Sequence, residues 1–169
     1  MSGDSMHLRT VGIAVIGFAC VSPETQQQTT DSSAPAVVTL DQFRQLDWIV
    51  GSWQGSGGAY PAFFEEYRIV DDSTIQMRAL SDSTFSVATD SSWIEFRNGQ
   101  IRKRRADREY VVIAASADSV RFAAPGSGGH TFTRTAADEW VATLHPIDPG
   151  GQTTVYTMRR FTRTRPPGT

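Results

Sequence analysis

The chain has 169 residues, 39% of them hydrophobic, a formal net charge of −2 and one cysteine. That charge gives no drive toward nucleic acid or an anionic membrane surface, and a lone cysteine excludes an internal disulfide. With a leader, a linker and a short tail set aside, about 120 residues are left, enough for one domain to bury a core without disulfides or metals.

His7 and Arg9 precede an apolar run from Val11 to Ala19. The run is about nine residues long, far short of the roughly 20 that span a bilayer. A basic start, a short apolar stretch and a small residue before the cut match a secretory signal over residues 1–19. Met6 offers an alternative start. Gly17-Phe18-Ala19-Cys20 resembles a bacterial lipoprotein signal in the small residue before the cysteine, although Gly17 stands where an aliphatic residue is usual. Cys20 is therefore the expected lipidation point, and plain secretion or a buried thiol are the alternatives. Residues 20–39 read as a Cys-anchored flexible linker. Gln26-Gln27-Gln28, Thr29-Thr30 and Ser32-Ser33 cannot bury enough apolar surface to offset ordering entropy.

Leu40, Phe43 and Leu46 give helical spacing, with Asp41 in the first turn. They predict a short helix from Leu40 to Leu46 that runs into a strand, with Gly51 at the bend. Short extended runs follow. Ala62 to Val70 and Thr74 to Leu80 are divided by the turn composition Asp71-Asp72-Ser73. Ser92 to Arg97 and Gln100 to Arg105 flank Asn98-Gly99, a strong hairpin signal because a type I′ turn needs positive φ at both positions. Glu109 to Ala115, Ser119 to Ala123, Thr131 to Thr135, Trp140 to Leu144 and Thr153 to Phe161 complete the series. Gly126 to Gly129 and Pro146 to Gly151 read as loops, and 164–169 as a disordered tail. Many short strands at steady spacing predict an all-β sandwich or barrel over residues 40–163.

Gly51-Ser52-Trp53 resembles the Gly-x-Trp signature of lipocalin-type barrels. The resemblance implies an antiparallel lipocalin-like β-barrel of about 8–10 strands with a short N-terminal helix. Trp53 would close the base and a last-strand arginine, Arg159 or Arg160, would stack across its ring. The run Leu46 to Gly55, then Glu65-Glu66-Tyr67, then Phe122, Pro125, His130 and Phe132 is similar to a family of uncharacterised bacterial exported lipocalin-like domains. No activity comes with that family. Gly51 to Pro61 is also similar to the glycine-rich opening of nitrobindin, a ten-stranded haem-binding barrel. The haem-ligating histidine of that family lies near the C-terminus, where this chain has none beyond His145. No cofactor is expected.

Glu65 and Glu66 are adjacent, so in a strand they face opposite sides. They do not form a carboxylate pair over one substrate. Arg102 and Arg104 share one face, and Lys103 and Arg105 the other. Either pair can turn inward to receive an anionic group or remain on a solvated edge. His130 follows a glycine-rich loop and shares a face with Phe132 and Arg134. It reads as a rim ligand-binding residue or as a hydrogen-bonded structural histidine. Glu66, Arg78, Arg104, His130 and Arg134 are the candidate polar groups for a small, partly apolar ligand. No metal site or catalytic signature is expected, since an enzyme would need an inward acid within reach of His130. The expected protein is an exported, membrane-tethered binding barrel. The rivals are an envelope protein whose barrel is filled by its own side chains and, from the resemblance alone, a nitrobindin-like haem protein.

Overall fold

A computed structural model describes residues 34–124, 127–148 and 150–162. The expected leader, Cys20, most of the linker and the 164–169 tail lie outside the described residues. Helix α1 (Leu40–Arg44) passes directly into a 3-10 helix (Gln45–Ile49). Ten strands follow: β1 (Gly51–Gly57), β2 (Tyr60–Asp71), β3 (Thr74–Leu80), β4 (Ala88–Arg97), β5 (Gln100–Arg105), β6 (Arg108–Ala115), β7 (Ser119–Ala124), β8 (Ser127–Ala136), β9 (Glu139–Leu144) and β10 (Thr154–Arg160). Each strand pairs with its chain neighbours, and β1 also pairs with β10, so the antiparallel sheet closes into a ten-stranded barrel. Closure leaves no free sheet edge.

Thr39 starts α1 through a capping box. Its hydroxyl accepts from the Gln42 amide at 3.2 Å, and the Gln42 side chain accepts from the Thr39 amide at 2.8 Å. Val38 before the cap and Phe43 beyond it are both buried, the arrangement of a hydrophobic staple. The strand expected after Leu46 does not form there. Trp48 and Ile49 belong to the 3-10 helix, and both are buried against the barrel. A tight helical turn keeps both side chains on the barrel's end, whereas a strand would send them to opposite sides. The end of the expected linker is likewise docked. The Ala36 amide donates to Val112 O at 2.8 Å and the Val38 amide to Gly99 O at 2.9 Å.

Asn98 and Gly99 have φ of 52° and 73° and join Arg97 to Gln100, as a two-residue hairpin requires. The expected loop from Gly126 to Gly129 is a correction. Strand β8 starts at Ser127, and the Gly129 carbonyl accepts from the His145 amide at 3.1 Å. A Cβ at Gly128 would meet the backbone carbonyls of His145 and Pro146. These glycines therefore allow two backbones to approach closely, where glycine more often marks a loop.

The barrel interior is divided. At the helix end, Leu46, Ile49, Ile94, Ile101, Val112 and Val120 are almost wholly buried. Trp140 meets Trp48, Trp53 and Tyr67 edge-on, with ring centroids 5.8–6.2 Å apart, a favoured aromatic geometry. This half is filled by the chain's own side chains. The half beyond Trp140 is hollow.

Candidate functional site

The closure expected at Trp53 is present. Its indole is 1% exposed and donates to Ile49 O at 2.7 Å. Strand register sets Arg160, not Arg159, beside it. The Arg160 guanidinium carbon lies 4.3 Å from the ring centroid, and one of its nitrogens donates to Val50 O at 3.1 Å. Arg159 faces outward and pairs with Glu139 at 3.1 Å. Alternation along β10 separates the two roles.

Above this floor lies a cavity of about 210 Å³. Its walls include Phe63, Tyr67, Met77, Phe132, Trp140 and Met158, and its polar lining includes Glu65, Lys103, Arg105 and His130. It reaches the surface where Arg105 and Leu144 are exposed.

Of the five residues expected to orient a ligand, His130 alone lines this cavity. Glu66 faces outward, where Arg68 and Arg78 pair with it at 2.6 and 3.1 Å. Its neighbour Glu65 points inward instead. Arg104 also faces outward and grips Glu95 with two hydrogen bonds of 2.7 and 3.0 Å. The inward pair of that charge run is Lys103 and Arg105. Arg134 shares the face of His130 and Phe132 but sits at the far end of β8, exposed, with its Nε near Ala136 O. Arg134 misses the cavity by its position along β8, whereas the corrections at Glu66 and Arg104 share one cause. Period-2 alternation pairs residues onto faces, but the closed barrel's register decides which face is inside.

The interior polar groups are held by one another and by the rings around them. Glu65 accepts from the Tyr67 hydroxyl at 2.8 Å. Burial raises the pKa of Glu65, against the opposing pull of Lys103 and the Tyr67 hydrogen bond. Burial and then Glu65 raise the Tyr67 phenol well above its usual range. Lys103 Nζ lies 3.4 Å from His130 Nε2 and 5.0 Å from the centroid of the Phe132 ring. Withdrawal from bulk water lowers its pKa to about 8. His130 is packed between Phe122 and Tyr110, with centroids 4.8 and 4.9 Å away. Burial, then Lys103 and His145, push its pKa down to about 2. His130 is therefore neutral, and its Nε2 is placed to accept from Lys103. Arg105 is neutralised at the rim by Asp90, whose carboxylate accepts from its Nε at 2.6 Å.

Glu65 and Lys103 were not among the expected ligand-orienting residues. A signal for Lys103 was present: of the 16 Lys and Arg residues in the chain, it is the only lysine. Among the described residues no group of three or more His, Cys, Asp or Glu side chains could hold a metal, and none of their helices is long and apolar enough to cross a membrane.

No protein-family profile matches the chain, and no curated protein does. A solved structure described as a redesigned β-barrel is similar over 70% of this chain and 96% of its own, with 12% identity and a TM-score of 0.37.

Proposed function

We propose that this is an exported, lipid-anchored domain of the lipocalin-like type that binds one small, partly apolar molecule in the cavity above Trp140. The observation that carries this reading is an aromatic-walled space of about 210 Å³ with an amine and a carboxyl group facing into it. Apolar walls with a few converging polar groups characterise small-molecule sites. The volume falls below the roughly 300–1,000 Å³ of common ligand pockets and above the ~150 Å³ of a cavity that holds benzene. The ligand is thus a single ring or a short branched chain with a polar head. Burying roughly 150 Å² of its apolar surface supplies about 4 kcal/mol, the scale of a millimolar Kd. A polar contact with Lys103 or Glu65 tightens that.

The haem suggested by the nitrobindin resemblance does not fit. A space little larger than one for benzene does not take a porphyrin, and the imidazole at the cavity has its Nε2 facing Lys103. The rival structural reading draws on the filled half of the barrel. Titration with benzyl alcohol followed by NMR separates the two. Shifts confined to cavity residues, lost in Ala142→Phe, are expected for a binding barrel. No shifts, or equal shifts in the variant, would leave a barrel that only supports itself.

A further inference from the structure

We infer that Lys103 is a covalent attachment point, whose amine condenses with a small aldehyde held in the cavity to form an imine. This rests on the binding reading above and adds a reaction to it.

The first observation is compositional. Arginine and lysine serve equally well as solvated cations, and at every other basic position this chain has arginine. The neighbours Arg102, Arg104 and Arg105 follow that rule. The one primary-amine side chain stands on the face of that run that lines the aromatic cavity, and the arginine that shares the face, Arg105, is held at the rim by Asp90. A guanidinium stays protonated and forms no imine, whereas a desolvated lysine does.

The second observation is geometric. Among the described residues no carboxylate lies within ion-pair distance of Lys103 Nζ, although nine other ion pairs satisfy that distance. The amine instead faces the neutral His130 Nε2 and the Phe132 ring. The charged and titratable groups around it are Glu65 and Tyr67 on β2, Arg105 on β5, Tyr110 on β6 and His130 on β8. Arg105 is engaged by Asp90, and Glu65 acts on Lys103 only through space. Such an amine releases its proton at milder pH than an exposed one.

The step balances without an oxidant. The Nζ lone pair attacks the carbonyl carbon, a C–N bond forms, and the carbonyl π pair moves to oxygen, which takes the proton that the now cationic nitrogen gives up, leaving a neutral carbinolamine. The carbinolamine then loses its hydroxyl as water, and nitrogen gives up its last proton to leave C=N. Glu65, which burial holds in its protonated form to higher pH than usual, faces the same space. It is the group to supply the proton to the departing oxygen and to recover one from nitrogen.

The test exposes the full-length protein to benzaldehyde, quenches with sodium borohydride, and reads the adduct by intact mass and peptide mapping. One benzyl group on Lys103 is expected, rising roughly tenfold from pH 7 to pH 9 as the amine deprotonates. Excess benzyl alcohol should suppress it. Lys103→Arg should lose it, and Ala142→Phe, which keeps the lysine but fills the cavity, should lose most of it, with near-UV circular dichroism confirming both folds. Labelling no greater than in the urea-unfolded chain, or unchanged in Ala142→Phe, would overturn the inference. Benzyl alcohol binding without a benzaldehyde adduct would overturn the imine and leave the binding reading intact. Absence of both would end both.

Discussion

The Trp53 indole is held by three unlike contacts. A hydrogen bond runs to Ile49 O, Arg160 covers the ring face, and Trp140 meets it edge-on 5.9 Å away. Trp53→Ala removes all three and opens a void, so a loss of about 3–5 kcal/mol is expected from urea unfolding. Arg160→Ala removes an exposed cation–π contact and the hydrogen bond to Val50 O and should cost about 1–2 kcal/mol. Lys103 makes a different kind of claim. Its folded pKa, about 8, lies below the ordinary 10.5, so between those values the unfolded chain binds more protons. Stability should therefore rise as pH increases from about 8 toward 10.5 and be lower, by a constant amount, below 8. Lys103→Met should abolish that rise, as read from urea midpoints across the range. At this scale the sequence was half legible. Adjacent Glu65 and Glu66 must face opposite sides of a strand, but which one is inside depends on a neighbour elsewhere in the chain, since Arg78 lies directly across from Glu66.

Helix α1 is short, and its start depends on local chemistry. Thr39→Ala leaves the first-turn donors without their cap and should lower stability by about 1 kcal/mol, measured by thermal unfolding. Val38 and Phe43 explain why so short a helix is worth holding, because both are buried at the barrel's end. Strands β4 and β5 are tied together on the outer surface by Glu95, 5% exposed, between Arg97 and Arg104. The Arg104 hydrogen bonds hold the Glu95 carboxyl below its ordinary 4.5. The folded pKa is depressed, so the stabilisation is present above about pH 4.5 and is lost as pH falls through the folded value. Glu95→Gln should flatten that acid limb of a stability profile. The hairpin at Asn98-Gly99 was legible because its backbone demand is local. The 3-10 helix at Trp48 was not, because an apolar pair reads the same in a strand and in a tight helix.

The whole molecule joins a filled half to a hollow half. The floor is dense with rings, and a cavity survives where Ala142 lies among larger inward residues. The Phe63 ring lies directly over Gly55, in the space a Cβ would take. Gly55→Ala should tilt that ring, altering benzyl alcohol affinity more than thermal stability. For export and anchoring, Cys20→Ser should move the protein from the membrane fraction to the soluble periplasmic fraction, as read by fractionation and immunoblot. Unchanged membrane association would remove the lipid anchor from the proposal. By itself, the sequence determined that strands would dominate, where most of them run, and that Asn98-Gly99 turns. Those features follow from local backbone preference and period-2 spacing, which act over a few residues. Only the tertiary structure decided that β1 meets β10, that Arg160 and not Arg159 covers the indole, and that Lys103 and Glu65 face inward. Each of these depends on register between segments far apart in the chain, and a shift of one residue would exchange inside for outside.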